Sequence, residues 1–204
     1  MKALVTGSSG FIGSHIVETL VKNSYEVVAV DVVQNNSLPN KVTFYELDIR
    51  DYTELYKAIK GVDLVIHLAA LINARESIEN PDLYHNVNVG GTLNILKLCR
   101  DLNVKKLIFA SSAAVYGEPQ YLPIDEKHPL RPLNPYGATK VACEAYISAF
   151  HSLYKIPTVI LRIFNVYGPK QLEAHTGVIS NFIKRALSGE SLIIYGDGLS
   201  LIHI

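Results

Sequence analysis

The sequence predicts an α/β protein built on a doubly wound parallel sheet. Short, nearly continuous apolar runs alternate along the 204 residues with longer segments that repeat apolar residues at helical spacing. Continuous apolar runs are typical of strands whose two faces are both covered by helices. Their regular alternation with helices indicates crossover connections within one parallel sheet. The length is sufficient for one substantial domain with a full core.

Six segments are predicted as strands and five as helices. The strands are Lys2–Thr6, Glu26–Asp31, Val42–Glu46, Val62–His67, Lys105–Ser111 and Thr158–Arg162. The helices are Phe11–Lys22, Tyr52–Lys60, Pro81–Asn103, Pro135–Tyr154 and Val178–Leu187. Asp51 and Asn134 are predicted helix caps, and Pro135 stands at the favoured first helical position. Prolines spread over residues 118–133 predict a loop there.

The composition argues against several kinds of partner. Lys plus Arg and Asp plus Glu both number 19, so no charge excess favours nucleic acid or an anionic membrane. The longest apolar stretches, such as Val62–Ala70, are too short for a bilayer, and the chain opens into a strand rather than a signal peptide. Cys99 and Cys143 fall in predicted helices, which favours reduced core thiols in a cytoplasmic protein over a disulfide. The scattered histidines predict no metal site.

Three glycines join the first strand to the first helix. Gly7, Gly10 and Gly13 stand in the run Gly-Ser-Ser-Gly-Phe-Ile-Gly. Glycine would allow a sharp turn at the first position, close approach to a pyrophosphate at the second and tight helix packing at the third. The helix N-terminus offers free N–H groups and a positive dipole end to phosphates. With a strand before it and a helix after it, the motif predicts a dinucleotide site.

Residues at the ends of later strands extend this site. Asp31, 18 residues past Gly13, would accept hydrogen bonds from the adenosine ribose and repel a ribose phosphate, so NAD is favoured over NADP. Asp48 could reach the adenine edge, although its segment also fits a loop that leads to a helix cap. The run Leu68-Ala69-Ala70 would let a dinucleotide cross the sheet edge. His67 is interpreted as a core histidine without a chemical role.

Tyr136 and Lys140 are four residues apart on one face of a predicted helix. A free phenol titrates near pH 10, which is too high for a base at neutral pH. We expect the Lys140 ammonium and a positive nicotinamide ring to lower the phenol pKa, so that Tyr136 can act as a general base. Ser112 follows the fifth strand, at the edge where ligands bind, and could hydrogen-bond the same substrate oxygen. A solvated helix surface is the alternative interpretation of the pair.

Together these segments resemble extended short-chain dehydrogenases/reductases of the nucleotide-sugar epimerase/dehydratase family. The resemblance spans residues 1–198 and is carried by the glycine run and by the runs Asp48-Ile49-Arg50, His67-Leu-Ala-Ala, Asn88-Val-Gly-Gly-Thr, Phe109-Ala-Ser-Ser-Ala-Ala-Val-Tyr-Gly, Asn134-Pro-Tyr-Gly-Ala-Thr-Lys and Arg162-Ile-Phe-Asn-Val-Tyr-Gly-Pro. It implies a Rossmann fold with bound NAD. The expected cofactor site comprises Gly7, Gly10, Phe11, Ile12, Gly13, Asp31, Asp48, Ile49, Leu68, Ala69, Ala70, Asn88, Tyr136, Lys140 and Phe164.

The resemblance also implies roles at the reacting end. Ser112, Tyr136 and Lys140 are expected to be catalytic, and Asn88 is expected to support the active site. The sugar nucleotide is expected to meet Ser112, Tyr136 and Asn165. A cytoplasmic homodimer through helices 81–103 and 135–154 is a further expectation.

The residues after Ser112 bear on the reaction. Related 4,6-dehydratases carry an Asp-Glu pair there, whereas this chain has Ala113 and Ala114, so no elimination acid or base is available. The loop from Glu118 resembles that of UDP-glucose 4-epimerases, which favours epimerisation of UDP-glucose and UDP-galactose. A UDP-glucuronate 4-epimerase or decarboxylase and a 4-keto-sugar reductase are the alternatives. A non-enzymatic NAD-binding regulator is disfavoured by the intact catalytic residues.

The end of the chain departs from the family pattern. Residues 199–204 read Leu-Ser-Leu-Ile-His-Ile, which one frame of a common transposon-type sequencing adapter would encode. We therefore expect a non-native tail there, with a natural strand-like tail as the alternative. Residues 1–198 would form the NAD-binding domain, its catalytic residues and the start of a substrate lobe. Because most of that lobe, about a final third in relatives, is absent, the chain alone is expected not to epimerise.

Overall fold

The fold is a six-stranded parallel sheet with helices on both faces. A computed structural model describes residues 1–34, 38–171 and 177–194, and the predicted tail lies outside them. Within those residues the strand order is β3-β2-β1-β4-β5-β6. The strands are β1 (Lys2–Thr6), β2 (Glu26–Asp31), β3 (Thr43–Glu46), β4 (Leu64–His67), β5 (Lys106–Ser112) and β6 (Thr158–Ile163). The order reverses between β1 and β4, which places a crevice at the carboxyl ends of these central strands.

The helices agree with the sequence prediction in most places. They are α1 (Phe11–Lys22), α2 (Tyr52–Ile59), α3 (Ala74–Glu79), α4 (Pro81–Tyr84), α5 (Gly91–Asp101), α6 (Pro135–Tyr154) and α7 (Val178–Leu187). The predicted caps are confirmed, because the Asp51 side chain accepts from two backbone N–H groups of α2 and Asn134 accepts from the Gly137 N–H. Helix α3 was not predicted, although Asn73 caps it. The doubly wound parallel sheet predicted from the sequence is confirmed.

One predicted helix is wrong in its middle. The segment predicted as a single helix over Pro81–Asn103 consists of α4, a π-helical stretch over His85–Gly90 and then α5. Asn88 lies in this stretch, and its carbonyl accepts hydrogen bonds from Thr92 Oγ1 and Cys143 Sγ. Side-chain insertion of this kind accompanies the wider turn of a π-bulge, which hydrophobic periodicity does not reveal.

Two apolar clusters cover the two faces of the sheet. The larger cluster packs α2, α5 and α6 against one face and includes Leu55, Ile95 and Ile147, which are fully buried. The smaller cluster packs α1 against the other face through Val17. Strand residues alternate between them, as in Val5 on the α1 side. Because helices cover both faces of the sheet, nearly every position of the central strands is apolar.

Two further predictions concern the cysteines and the membrane. Cys99 and Cys143 are buried free thiols, as the sequence predicts. Within the described residues, no helix combines the length and the apolar character needed to cross a membrane.

Candidate active site

A cavity of about 740 Å³ lies at the carboxyl edge of the central strands. It gathers the predicted site residues from segments spread over more than 150 positions of the chain. The predicted residues that line it are Gly7, Gly10, Phe11, Ile12, Gly13, Asp31, Asp48, Ile49, Leu68, Ala69, Ala70, Ser112, Tyr136, Lys140, Phe164 and Asn165. Asn88, which was also predicted to belong to the site, is not part of this lining.

The glycine turn between β1 and α1 leaves no room for side chains at two positions. Gly7 has a φ of +69°, and a Cβ there would lie 2.8 Å from the backbone nitrogen of Ala69. A Cβ on Gly13 would lie 2.0 Å from the Gly7 carbonyl oxygen. A Cβ on Gly10 would meet only that same oxygen, at 3.3 Å. The first and third glycines are therefore required by the packing of the protein itself, whereas a Cβ at the second would have one tight contact and no other neighbour within 4 Å.

The N-terminus of α1 opens into the cavity without a side-chain cap. Gly10 is its N-cap residue and carries no capping side chain. Phe11 and Ile12, in the first turn, line the cavity. Because the first N–H groups of a helix lack intrahelical partners, this turn presents donors and a positive dipole end to an anion. The arrangement fits a pyrophosphate.

The Asp31 carboxylate ties the end of β2 to the glycine turn. One oxygen accepts from the backbone N–H of Ser9 at 2.9 Å, and the other accepts from the N–H of Val32 at 2.8 Å and of Val33 at 3.4 Å. A carboxylate can accept about four hydrogen bonds, so capacity remains on the cavity side. Asp31 is therefore held in a fixed position where it can accept from a ribose.

Asp48 pairs with a residue that the sequence analysis did not assign to the site. Arg50 donates from Nε and Nη2, and the shorter contact, between Nη2 and the Asp48 carboxylate, is 2.6 Å. This hydrogen bonding lowers the pKa of Asp48 below its usual range. The backbone carbonyl of Asp48 also accepts from the N–H of Asp51, the cap of α2. Asp48 therefore lies in a loop that leads to a helix cap and also lines the cavity, and its contact with the adenine edge stays a prediction.

Asn88 lies behind the cavity wall. Its side chain is 1 % exposed, accepts from the Leu71 N–H at 2.8 Å and donates to the Leu71 carbonyl and to Thr139 Oγ1, each at 3.0 Å. Protein groups take both of its amide hydrogens and it does not line the cavity, so its contact with the cofactor stays a prediction. It fits the expected support role, because Leu71 lines the cavity and Thr139 donates to the carbonyl of Tyr136 at 2.7 Å.

The three expected catalytic side chains meet on one wall of the cavity. Tyr136 stands in the first turn of α6, next to the helix cap, and its phenol is hydrogen-bonded to Ser112. Ser112 ends β5, and its Oγ accepts from the Ala114 N–H at 3.2 Å. Lys140 Nζ donates to the carbonyl of Ala110 at 2.8 Å and lies 6.0 Å from the centroid of the Tyr136 ring. The spacing of four residues places both side chains on the buried face of α6.

The pKa of Tyr136 corrects part of the sequence-based expectation. Burial raises this pKa, and the hydrogen bond to Ser112 opposes the rise. The expected lowering by Lys140 is wrong here, because its ammonium points to the Ala110 carbonyl rather than to the phenol oxygen. The expected contribution of a nicotinamide ring stays a prediction. Burial lowers the pKa of Lys140 itself to about 8, against the opposing effects of Cys143 and Glu144.

A partly buried ion pair beside Lys140 was not predicted from the sequence. Glu144 is 5 % exposed, and Arg162 on β6 donates to it at 2.9 Å from Nη2 and at 3.1 Å from Nε. Ser111 Oγ donates to the same carboxylate at 2.5 Å, and Arg162 also donates to Tyr116 Oη at 3.1 Å. Two features of the sequence could have indicated this ion pair: a carboxylate one helical turn past Lys140, and an arginine at the end of an apolar strand.

Comparisons with known proteins agree with this site. A family model described as the NAD dependent epimerase/dehydratase family matches residues 3–202. A Methanocaldococcus jannaschii protein with a provisional UDP-glucose 4-epimerase name is 49 % identical over 202 residues, which cover 96 % of this chain and 66 % of that protein.

Solved structures show the same similarity. The UDP-glucose 4-epimerase of Thermotoga maritima, solved with UDP-glucose, has a TM-score of 0.92 at 35 % identity and covers 97 % of this chain and 67 % of that one. The Thermus thermophilus UDP-glucose 4-epimerase, solved with NAD, has a TM-score of 0.87 at 40 % identity, with coverages of 96 % and 66 %. The chain thus spans about two thirds of the length of these relatives. Because the family model matches nearly the whole chain, the protein belongs to the NAD-dependent epimerase/dehydratase family.

Proposed function

We propose that this chain, completed by a C-terminal lobe of the kind its relatives carry, is an NAD-dependent nucleotide-sugar 4-epimerase that interconverts UDP-glucose and UDP-galactose. The observation that carries the proposal is the shared cavity. It joins an uncapped helix N-terminus at one end to Ser112, Tyr136 and Lys140 at the other. The relatives compared above carry the name UDP-glucose 4-epimerase, which supports the proposal.

The residues of the cavity fit NAD. The first turn of α1 offers backbone donors for the pyrophosphate, and Gly10 lines the cavity there without adding a side chain. Asp31 is positioned to accept from a ribose and to repel a ribose phosphate, which supports NAD over NADP. Asp48 and Ile49 line the adenosine end, and Leu68, Ala69 and Ala70 line the crossing of the sheet edge.

The catalytic step is proton transfer at the 4-hydroxyl of the sugar. When bound, NAD would supply a positively charged ring able to accept a hydride from sugar C4 and to return it. As the phenolate, which the positive charge of that ring would favour against the effect of burial, Tyr136 Oη would take the proton from the 4-hydroxyl and return it. Ser112 Oγ would hold the same oxygen. With a pKa of about 8, Lys140 is mainly protonated at pH 7 and keeps a second positive charge on this wall of the cavity. Asn165 lines the sugar side.

The structure supports epimerisation over 4,6-elimination. Ala113 and Ala114 form the 3₁₀ turn that directly follows Ser112. Their methyl groups can neither donate nor accept a proton, so this turn offers no acid or base for the removal of water from the sugar.

A cytoplasmic homodimer through the segment 81–103 and helix α6 is part of the same proposal. Apolar side chains are exposed along these helices, with Leu83 at 40 %, Tyr146 at 43 % and Leu153 at 71 %. Such surface favours burial against a second copy. Sedimentation of the complete protein should give twice the monomer mass, and a monomer at micromolar concentration would contradict this part.

The test is substrate conversion by a version that carries the remaining third. It should convert UDP-galactose to UDP-glucose without net consumption of NAD, whereas residues 1–198 alone should bind NAD and not convert the sugar. An open site cannot hold the 4-hydroxyl in line, and misplacement alone costs about 10²-fold. Conversion of UDP-glucuronate alone would shift the assignment to that sugar. Tight NAD binding without turnover of any UDP-sugar would favour a regulator.

A further inference from the structure

A row of buried polar side chains connects the glycine turn to the catalytic helix. It begins at Thr6, the residue before Gly7, and continues through His67 at the end of β4 and Thr92 on α5. From there it reaches the π-helical stretch and α6. Its members Thr6, His67, Thr92, Asn88 and Thr139 are each at most 5 % exposed. From the sequence, His67 was predicted to be a core histidine without a chemical role.

The hydrogen-bond geometry determines which imidazole nitrogen carries the proton. Thr92 Oγ1 lies 2.5 Å from the carbonyl oxygen of Asn88, which can only accept, so the threonine hydroxyl donates there. His67 Nε2 lies 3.0 Å from the same Thr92 Oγ1. Because the Thr92 hydroxyl already donates its only hydrogen to the Asn88 carbonyl, His67 Nε2 must carry a hydrogen and donate it to Thr92 Oγ1.

The other ring nitrogen meets the complementary requirement. Thr6 Oγ1 accepts from the backbone N–H groups of Leu68 at 3.1 Å and Ala69 at 3.2 Å, which occupy its two lone pairs. Its remaining hydrogen points to His67 Nδ1, 2.7 Å away. His67 Nδ1 is therefore unprotonated and accepts the hydrogen bond from the Thr6 hydroxyl. One proton arrangement, the neutral Nε2–H tautomer, satisfies every group in the row.

The surroundings of the ring also disfavour a second proton. Lys140 on α6 places a positive charge near it, Cys143 on α6 brings a buried thiol to Thr92, and Phe109 on β5 packs against the ring at a centroid distance of 5.6 Å. Burial first, and Lys140 second, lower the pKa of His67 to about 3. A proton on Nδ1 would face a hydroxyl oxygen whose lone pairs are already used.

We infer that His67 is a positioning residue, locked as the neutral Nε2–H tautomer, that sets the glycine turn at a fixed distance from the helix that carries Tyr136. At one end, Thr6 holds the backbone of Leu68 and Ala69, two residues of the cavity wall. At the other, Asn88 and Thr139 continue the row to the Tyr136 carbonyl. The effect on catalysis rests on the proposed function, whereas the tautomer does not.

The first test is the ¹⁵N spectrum of the histidine side chains, recorded on this chain from pH 7 to pH 4. His67 should show one protonated and one bare nitrogen throughout, with the proton on Nε2, and exposed His85 serves as the internal reference. A proton on Nδ1, or a cationic His67 ring at pH 6, would overturn the inference. This result is independent of any enzymatic activity and of whether a variant folds.

The second test separates positioning from general stability. Thr92→Val removes the acceptor for Nε2–H at nearly constant volume, and Thr92→Ser keeps the hydroxyl as the matched control. In the complete protein, Thr92→Val should change the His67 signals and lower kcat about 10-fold with little change in KM, since small misplacements of reacting groups are costly. Thr92→Ser should keep both the His67 signals and kcat close to their wild-type values. Equal kcat in the valine and serine variants, with altered His67 signals only in the former, would refute the positioning role. Absence of turnover in the wild type would instead refute the proposed function.

Discussion

The two ends of the cavity are built in different ways. At the cofactor end, backbone conformation and missing side chains shape the site, as at Gly7 and Gly13. At the reacting end, buried ionisable side chains from separate segments shape it, as with Lys140 and Glu144, both at most 5 % exposed. Substitutions that add side-chain volume should therefore disturb the cofactor end most. Substitutions that remove or add a single ionisable group should disturb the reacting end most.

The ends also treat charge differently. Asp31 is only partly buried, and backbone N–H groups satisfy it. Lys140 is buried against a backbone carbonyl, so its charge carries a desolvation penalty that shows as a lowered pKa. The reacting end therefore gives up stability for reactivity, as active sites often do.

The largest effect should follow removal of the phenol oxygen at the reacting end. We expect Tyr136→Phe to lower kcat by about 10²–10⁴-fold, because the general base is lost, while NAD binding stays largely intact. Single-turnover reduction of bound NAD by substrate measures the step. Tyr84→Phe is the matched control, since Tyr84 is also buried and donates to Glu76 at 3.1 Å but does not itself line the cavity. A near wild-type rate in Tyr136→Phe would remove this residue from the mechanism.

The cofactor end should respond to one added carbon. In Gly13→Ala the new Cβ would lie 2.0 Å from the Gly7 carbonyl oxygen, so the turn must shift. We expect a loss of about 3 kcal/mol or more in the free energy of unfolding, together with weaker NAD binding. Gly90→Ala is the control, because a Cβ there has no neighbour within 4 Å. Thermal unfolding and NAD titration compare the two, and equal stability of both variants would contradict the packing argument.

The charge penalty at Lys140 should be visible as a pH dependence of stability. Its pKa of about 8 in the folded state lies below the 10.5 of a free lysine, so the unfolded state binds more protons between these values. The contribution of Lys140 to the free energy of unfolding should therefore rise with pH in that window, by at most about 1.4 kcal/mol per pH unit. The buried Cys99 and Cys143 thiols, whose pKa values burial raises, contribute in the opposite direction, so the comparison with a Lys140 variant isolates this rise. Lys140→Met should abolish that rise and be more stable than wild type at pH 7. Exposed Lys41→Met should leave the slope unchanged. Parallel curves for wild type and Lys140→Met in denaturant titrations would refute the penalty.

The smallest effect concerns cofactor choice at Asp31. Wild type should bind NADH more tightly than NADPH, because the carboxylate repels a ribose phosphate. Asp31→Asn keeps an acceptor for the Ser9 N–H and removes the charge. We therefore expect the ratio of the NADPH to the NADH dissociation constant to fall about 10-fold, which corresponds to roughly 1.4 kcal/mol. Fluorescence titration with both cofactors measures it, with Asp101→Asn as a distant surface control. Equal or tighter NADPH binding by wild type would contradict the assignment.

Features that depend on neighbouring residues in the chain were determined by the sequence alone. A strand, three glycines and a helix are contiguous, so their spacing already implies the turn that Gly7 and Gly13 make. The position of Asp31 at the end of β2 follows from the same periodicity. Tyr136 and Lys140 share a helix face because of the helical repeat, whatever packs against it.

Features that join distant segments were decided only by the tertiary structure. The row through His67 and Thr92 and the ion pair of Glu144 with Arg162 connect different elements, and no local pattern predicts which polar groups will meet. The pKa values depend on burial and on where the Lys140 ammonium points, which helical spacing does not specify. The sequence thus determined most of the residues that face the cavity, with Asn88 as an exception, and three-dimensional packing decided their protonation and the groups that hold them in place.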